Sequence, residues 1–341
     1  MKTRKVSIYD IARRLDVSTS TVSRALQNNP SISAEVREKV RRTAGEMGYK
    51  PNVFAVNLQR GHTRTIGVVV PMVSRNFFSM AIDGIEEIAS RAGYDVLICQ
   101  SKNELERETR ILDRFLQGRV DGVIASLASC GGDYPHYRAL ARYGMPLVLF
   151  DRSLDDIEAG TVLLDDYKGA HETVCHLIGQ GFRRIYHYAG PQQVSVWKNR
   201  RQGYRDAMQR HGIEVRPEWI VVGPTTEEGG RAAMERLLAQ GDLPEAMFFA
   251  GDYAALGAYR ALRSHGLDVP DDMALAGFAN EPFCELISPS FTSVEQFGYR
   301  MGSVAAQMLL EKLDGAPYMN VVIPPELIVR ESSQKTKPLK E

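Results

Sequence analysis

Short hydrogen-bonding side chains and one guanidinium group recur near the amino terminus at helical spacing. Within residues 18–26, the outward positions of a predicted helix are Thr19, Ser20, Ser23 and Arg24. Hydroxyl groups of this size bind either base edges or phosphates, and an arginine binds guanine through two parallel hydrogen bonds. The chemistry that these residue types favour is recognition of double-stranded DNA.

The elements that must position these side chains are two short helices joined by a tight turn. Apolar residues recur on one face of the first helix at Ile8, Ile11, Ala12 and Leu15. The turn follows, and the Ser18 hydroxyl can accept a hydrogen bond from an unpaired backbone N–H at the start of the second helix. This pattern predicts a helix-turn-helix whose second helix enters the major groove with its N-terminus first. A helical hairpin without DNA-binding activity is the alternative.

Charge is distributed unevenly along a chain whose formal net charge is zero. Residues 1–60 contain 12 Lys and Arg against 5 Asp and Glu, a net of +7, so the remaining residues, with 30 basic and 37 acidic side chains, carry −7. A basic amino-terminal segment on an acidic body indicates a DNA-binding surface confined to one end of the chain. A solvated basic helix is the alternative, and the helical hairpin argues against it.

The four cysteines are scattered through the chain at Cys99, Cys130, Cys175 and Cys284, and they form no Cys-x-x-Cys pair. We therefore expect reduced thiols, no metal site and no cofactor. The amino terminus has no apolar signal core, and no apolar run is long enough to span a membrane. These features predict a cytoplasmic protein without a membrane partner.

A third helix and a short marginal one follow the hairpin. Ser33 is the expected N-cap of the third helix and Gly48 its end. Pro51 prevents that helix from continuing, and Asn52 can cap a new helix of about two turns that ends at Gly61. Because so short a helix is marginal by itself, we interpret it as a hinge that becomes helical only when something packs against it. An ordinary linker between domains is the alternative.

From Ile66 onward, short apolar runs alternate with amphipathic helices, one of which is predicted at residues 201–211. Near-continuous apolar strands with helices between them indicate parallel sheets that are covered on both faces. The number of such units is too large for one compact sheet, so two lobes are expected. The crevice between the lobes, at the carboxyl ends of the strands, is then the expected ligand site.

The motifs along the chain resemble the lactose/galactose-repressor (LacI-type) family of bacterial transcription regulators. The resemblance is carried by Ile8-Tyr9-Asp10-Ile11-Ala12, Val17-Ser18-x-x-Thr21-Val22-Ser23-Arg24, Val36-Arg37-Glu38-Lys39-Val40, Gly48-Tyr49-Lys50-Pro51-Asn52, Ile66-Gly67-Val68, Asn76-Phe77-Phe78, Asp121-Gly122-Val123-Ile124 and Gly277-Phe278. It implies an all-α helix-turn-helix head and an α/β two-lobed, periplasmic-binding-protein-like body with parallel sheets.

The resemblance also implies domain bounds. The head would span residues 1–50, the hinge 51–62 and the body 63–332, followed by a polar tail at 333–341. Within the body, the first lobe would comprise about 63–160 and 293–322, and the second about 161–292 and 323–332.

Carried over by position, the family implies a homodimer that binds a near-palindromic operator and whose two hinge helices pair in the minor groove. Thr19, Ser20 and Arg24 would face base edges. Ser18, Thr21 and Ser23 would bind phosphates, and Leu58 would be an apolar wedge in the minor groove. The remaining implied DNA contacts are Ser7, Tyr9, Asn52 and Ala55.

The family also implies a small-molecule effector in the crevice, which we expect to be a sugar or a sugar acid. Phe77 and Phe78 would stack on it, with Trp197 as a further stacking surface. The implied hydrogen-bonding residues are Asp151, Arg200, Asp252, Asn280 and Gln296. The sequence departs from the family pattern at Gly251, Ala279 and Phe297. The alternatives are that the two phenylalanines are lobe core and that Asp151 and Arg200 form an ion pair between the lobes.

Two other classes of protein share some of these features. His171 and His176 lie near a glutamate, but they are five positions apart, about 140° around a helix, and cannot share a metal as an i, i+4 pair does. No phosphate-binding glycine loop and no Gly-x-Ser-x-Gly motif is present, so an enzyme is not expected. A solute-binding protein of a transporter would share the two-lobed body, but it needs a signal peptide and lacks a basic helical head.

Overall fold

The computed structural model describes residues 6–49, 62–118, 120–128, 133–154, 156–241 and 243–335. Contacts divide the chain into two units, Met1–Thr63 and Arg64–Glu341. Almost all of the predicted hinge at 51–62, including Asn52, Ala55 and Leu58, lies outside the described residues.

The first unit is a bundle of three helices, α1 (Ile8–Leu15), α2 (Thr19–Leu26) and α3 (Ala34–Glu46). α1 ends at Asp16, whose φ of 51° is left-handed and turns the chain toward α2. The helices bury one apolar core, formed by Ile11, Ala12, Val22, Ala25, Val40 and Ala44. The predicted helix-turn-helix head is therefore confirmed.

The first lobe of the second unit is built on a six-stranded parallel sheet in the order β11-β5-β4-β3-β1-β2. Its strands are β1 (Thr65–Val70), β2 (Asp95–Gln100), β3 (Gly122–Ala125), β4 (Leu147–Phe150), β5 (Gly160–Leu164) and β11 (Asn320–Ile323). Strands β3 and β4 are buried along their whole length, as expected for a sheet covered on both faces.

The second lobe is built on a four-stranded parallel sheet in the order β7-β6-β8-β9. Its strands are β6 (Ile185–Ala189), β7 (Ile220–Val222), β8 (Ala246–Phe249) and β9 (Ala274–Ala276). An antiparallel ribbon of β10 (Ser293–Glu295) and β12 (Glu326–Ile328) adjoins this sheet through a bridge between Ala276 and Thr292.

Helices cover both sheets. They are α4 (Asn76–Arg91), α5 (Leu105–Leu116), α6 (Pro135–Arg142), α7 (Asp166–Gly179), α8 (Ser195–Arg210), α9 (Glu227–Gln240), α10 (Asp252–Ser264), α11 (Phe283–Leu286) and α12 (Gly298–Leu313), with short 3₁₀ turns at Pro217–Trp219 and Glu331–Ser333. α4 and α12 pack so closely in the first lobe that a Cβ on Gly302 would collide with the Ala81 carbonyl. The predicted α/β body with parallel sheets is confirmed.

The predicted division of the body is wrong in two places. The predicted bounds place residues 161–164 in the second lobe, but β5 pairs with β4 and β11 in the first sheet. They also place β10 and β12 in different lobes, but these strands pair with each other. Apolar patterning predicts that a segment is a strand, whereas the sheet that it joins is decided by long-range pairing.

One helix also begins earlier than its sequence pattern predicts. α8 starts at Ser195 and not at residue 201. The additional turns place Trp197 and Arg200 on the same helix, and both are buried. Within the described residues, no helix combines the length and the apolar character that crossing a bilayer requires.

Candidate functional site

The first candidate site is the outward surface of α2 in the head. The Ser18 hydroxyl accepts a hydrogen bond from the Thr21 backbone N–H at 3.1 Å and lies 2.8 Å from the hydroxyls of both Ser20 and Thr21. Ser18 and Ser20 are exposed, as is Arg24 on the same helix, and Thr19 is half-buried. The N-terminus of α2 therefore presents a cluster of hydroxyls at the positive end of its helix dipole, a position that suits a phosphate.

Tyr9 and Ser7 lie at the start of α1 and have different environments. Tyr9 is 68% exposed and leaves its ring and hydroxyl available to a partner. Ser7 is half-buried, and its backbone N–H and hydroxyl donate to one Asp10 carboxylate oxygen at 2.9 and 2.7 Å. Ser23 is half-buried on α2.

The second candidate site is a cavity of about 270 Å³ in the second unit, between the two lobes. Its walls include segments that directly follow β1, β4, β6, β8 and β9, so the carboxyl ends of strands from both sheets meet there. The lining includes Phe77, Phe78, Asp151, Trp197, Arg200, Asp252 and Gln296, all of which the family resemblance implies as effector contacts.

Asn280 is the predicted effector residue that does not line the cavity. Its side-chain N–H donates to Glu295 at 2.7 Å, and its side-chain oxygen accepts from Arg330 at 2.9 Å. Asn280 and the preceding Ala279 both have positive φ, 48° and 122°. The backbone turns here so that Ala279 faces the cavity, while the side-chain amide of Asn280 bonds to Glu295 of β10 and to Arg330, which follows β12.

Phe77 and Phe78 belong both to the cavity wall and to the core of the first lobe. Their rings make an edge-to-face contact with centroids 5.0 Å apart, and both pack near Phe150, at 6.5 and 6.2 Å. They are 8% and 6% exposed. The alternative of a purely structural role is therefore partly right, because most of each ring is packed against protein.

Arg200 is held by groups of its own lobe. Its Nε and Nη2 lie 2.8 and 2.7 Å from one carboxylate oxygen of Asp166, and its Nη1 donates to the Ala250 carbonyl at 2.7 Å. The guanidinium stacks on the Phe278 ring at 3.6 Å. Burial raises the pKa of the Asp166 carboxyl to about 6, although the charge of Arg200 lowers it. The alternative of an ion pair between Asp151 and Arg200 is therefore wrong, because each is paired with another residue.

Asp151 instead pairs with its neighbour in sequence. Its backbone is left-handed, with φ of 63°, and its carboxylate accepts from the Ser126 hydroxyl at 3.0 Å and lies 3.4 Å from the Nε of Arg152. Arg152 donates to the Leu127 carbonyl at 2.7 Å and to Asn103 at 2.9 Å. Burial lowers the pKa of the Arg152 guanidinium. Sequence reasoning missed Arg152, although it directly follows a predicted strand and a predicted site residue.

A buried pair supports the loop that holds Arg152. Glu108 accepts hydrogen bonds from the Ala128 backbone N–H at 2.6 Å and from the Nε2 of His136 at 3.0 Å. Glu108 is fully buried and His136 is 5% exposed. Ala128 follows Leu127, whose carbonyl accepts a hydrogen bond from Arg152. The Glu108–His136 pair therefore fixes the position of the Arg152 guanidinium, which lines the cavity.

The opposite wall carries two neighbouring carboxyl groups. Asp252 accepts from the Glu281 backbone N–H at 2.9 Å and from the Ser293 hydroxyl at 2.7 Å, and burial raises its pKa. Burial, with the negative charge of Asp252, raises the pKa of Glu281 to about 7. Glu281, Arg75 and Tyr253 line the cavity and were also missed, because nothing in their local sequence marks them as site residues.

The two histidines considered for a metal site have separate roles. His176 lies 2.8 Å through Nε2 from the Ser333 hydroxyl, and His171 stacks on Tyr167. Across the part of the chain that the structure describes, no three His, Cys, Asp or Glu side chains are grouped so that they could hold a metal ion.

Comparison with known proteins gives matches to both units. The model of the family described as "Bacterial regulatory proteins, lacI family" matches residues 7–52, and that of the "Periplasmic binding protein-like domain" matches residues 174–333. The HTH-type transcriptional repressor CytR of Escherichia coli (strain K12) is 35% identical over 311 residues, which are 91% of this chain and 90% of the relative. Catabolite control protein A of Priestia megaterium is 32% identical over 316 residues, 92% of this chain and 93% of the relative.

Solved structures match over nearly the whole chain. The lac repressor dimer bound to operator and the anti-inducer ONPF has a TM-score of 0.85 at 25% identity, covering 97% of this chain and 99% of that one. The complex of the transcriptional regulator CelR with cellobiose has a TM-score of 0.74 at 29% identity, covering 96% of this chain and 100% of that one.

Proposed function

The chain belongs to the lacI family of bacterial DNA-binding transcriptional regulators, and on this basis we propose that it is a repressor that binds a near-palindromic operator as a homodimer. A sugar or a sugar acid in the cavity between the lobes would control its affinity for the operator. Action on chromosomal DNA would place it in the cytoplasm. The relatives named above are regulators, and we propose no enzymatic activity.

The observation that carries the effector proposal is the composition of the cavity wall. Aromatic rings of Phe77, Phe78 and Trp197 stand beside buried charged and amide groups from both lobes. Aromatic faces pack against the C–H surface of a sugar ring, and carboxylate, guanidinium and amide groups bind its hydroxyls. At about 270 Å³, the cavity lies just below the range of about 300–1,000 Å³ that is typical of ligand pockets, which favours a small ligand. The cellobiose of the CelR complex supports the same class of ligand.

The observation that supports DNA binding is the exposed surface of α2. We propose that Thr19, Ser20 and Arg24 face base edges and that Ser18, Thr21 and Ser23 bind phosphates. Ser7 and Tyr9 would contact the backbone from α1. In the segment outside the described residues, Asn52 and Ala55 would contact DNA and Leu58 would open a base step.

The proposed switch uses the chain crossings between the lobes. The chain passes from one lobe to the other after β5, between β10 and α12, and between β11 and β12. A ligand that contacts both lobes changes their relative angle, and in a dimer this moves the two hinges toward or away from each other. Paired hinges would be helical and bind DNA, and separated hinges would lose their helical structure.

The experiment that tests the effector class is a thermal-shift screen of the full-length protein against neutral sugars, sugar acids and nucleobases. A ligand that binds only the folded state stabilises it by mass action, by about 2.7 kcal/mol at about 100 times its Kd. We expect at least one sugar or sugar acid to raise Tm by several degrees. Stabilisation by nucleobases alone would overturn the proposed ligand class and leave the DNA-binding proposal intact.

A further inference from the structure

Arg75 and Tyr253 make a contact from one lobe to the other at the cavity. Arg75 immediately precedes α4 of the first lobe, and Tyr253 is in the first turn of α10 of the second lobe. The guanidinium carbon lies 3.8 Å from the centroid of the Tyr253 ring. Both residues line the cavity, and the ring is supported from behind by an edge-to-face contact with Phe283 at 5.2 Å.

Glu281 of the second lobe faces the same end of α4. The Asn76 backbone N–H and the positive charge of Arg75 both favour the ionised form of its carboxyl, and so lower its pKa. The start of α4 therefore meets the second lobe through the stacking of Arg75 on Tyr253 and through attraction between Arg75 and the Glu281 carboxylate. Arg200, by comparison, forms its ion pair with Asp166 within its own lobe.

We propose that Arg75 is a positioning residue that holds the two lobes closed over the effector by stacking on Tyr253 and attracting Glu281. We call this set of three residues the clasp. The inference rests on the proposed function, since it assigns the cavity to an effector, but closure itself can be measured without a ligand. Loss of the stacking contact should reduce the ratio of closed to open molecules by about twofold to thirtyfold, the range between an exposed and a desolvated cation–π pair.

Proton binding to Glu281 should make the clasp sensitive to pH. Its neighbours are Asp252 from α10, which opposes its ionisation, and Arg75 with the Asn76 N–H from the start of α4, which favour it. With a pKa of about 7, the carboxyl is charged above that pH and neutral below it. Burial is the largest cause of the raised pKa, and opening the lobes hydrates the carboxyl, so ionisation is easier in the open arrangement and rising pH favours that arrangement.

The test uses Trp197, which lines the cavity and is one of only 2 tryptophans in the chain. In a Trp219→Phe background, acrylamide quenching of the full-length protein reports access to Trp197 alone. We expect Arg75→Ala and Tyr253→Leu to increase the quenching constant by about twofold or more. Tyr253→Phe keeps the aromatic face and should behave as the parent.

The matched control is Arg64→Ala, because Arg64 stacks on Tyr94 at 4.9 Å within the first lobe. Equal quenching in Arg75→Ala and Arg64→Ala would overturn the clasp. The double variant Arg75→Ala/Tyr253→Leu should match Arg75→Ala, since Arg75 makes both contacts of the clasp and Tyr253 makes only one of them. Additive effects would show that the two residues act separately and would also contradict it.

The pH arm isolates Glu281. Quenching of Trp197 should rise as pH rises through about 7, and this change should disappear in Glu281→Gln. A pH dependence that persists in Glu281→Gln would exclude Glu281 from the clasp. None of these outcomes depends on an effector, so failure of the clasp would leave the proposed function standing, and a failed ligand screen would leave the clasp standing.

Discussion

At the scale of single residues, the two candidate sites differ in whether their arginine side chains already bind protein groups. Arg24 is exposed, whereas Arg152 and Arg200 are buried and hydrogen-bonded to protein groups. A buried guanidinium that is already paired changes position little when a ligand binds, so it contributes a fixed binding surface. An exposed one is free to adapt to a base edge.

Arg24 provides the prediction for the head. Arg24→Ala should weaken binding to an operator obtained by in vitro selection by about 1–3 kcal/mol, because a bidentate contact to guanine is lost. Binding to unrelated DNA should weaken much less. Arg41→Ala is the control, since Arg41 is exposed on α3 beside Glu38. Fluorescence anisotropy at fixed salt measures the affinity of the parent and of both variants for both DNAs, and equal losses on both DNAs would show that Arg24 contacts only the backbone.

His187 provides a pH prediction for the second lobe. It is fully buried, stacked on Phe248 and Tyr204, and burial lowers its pKa from 6.5 to about 3. Between these values the unfolded chain binds a proton that the folded protein does not. The free energy of unfolding should therefore rise with pH across this window, by a few kcal/mol from this residue. Urea titrations at several pH values should show a smaller rise for His187→Gln than for the exposed control His265→Gln.

At the scale of elements, helix ends and strand ends position the functional groups. Ser18 begins α2, and the segments after β1, β4, β8 and β9 supply much of the cavity wall. Asn280 shows that the local backbone conformation, and not the position in a motif, decides whether a side chain reaches the cavity. Its neighbour on each side faces the cavity, but the left-handed backbone directs its own amide to Glu295.

The Ser18 cap yields a prediction about α2. Ser18→Ala removes the hydrogen bond to the Thr21 N–H and should destabilise the helix by about 1 kcal/mol. Amide hydrogen exchange in residues 19–26 should become about fivefold faster. Ser20→Ala is the matched control, because its hydroxyl contacts Ser18 but caps no backbone group. Equal acceleration in both variants would mean that the hydroxyl cluster, and not the cap, stabilises α2.

At the scale of the whole molecule, the proposed switch requires that the cavity and the operator influence each other. A ligand can shift the lobes only by binding their two arrangements unequally, and the coupling is then reciprocal. The α4–α12 packing within the first lobe is tight enough to move as a rigid body, since Gly302 leaves no room between the helices.

The corresponding prediction concerns binding equilibria. Saturating effector should change operator affinity by some factor, and operator should change effector affinity by the same factor, as measured by titrations in both orders. Arg200→Ala should abolish the response to effector while leaving binding to DNA intact, because Arg200 lies in the cavity and not in the head. If saturating effector leaves operator affinity unchanged, the proposed switch is wrong.

The sequence by itself determined the class of the protein, because its strongest signals are local. Helix caps, apolar periodicity and the run of residues around Ser18 predict the head, and alternating apolar strands and helices predict the parallel sheets. Such features depend on neighbours within a few positions along the chain. Seven of the residues that line the cavity were implied only by the resemblance to the family, and local patterns do not mark them.

The tertiary structure alone decided which sheet β5 joins, that Arg200 pairs with Asp166, and that Asn280 faces away from the cavity. It also brought Arg75 to Tyr253 and placed Arg152 and Glu281 in the wall. These outcomes depend on long-range pairing, on desolvation of charges and on backbone conformations that no local pattern specifies. The physical reason is that burial and charge pairing are properties of the folded surroundings, which the order of residues encodes only through the complete fold.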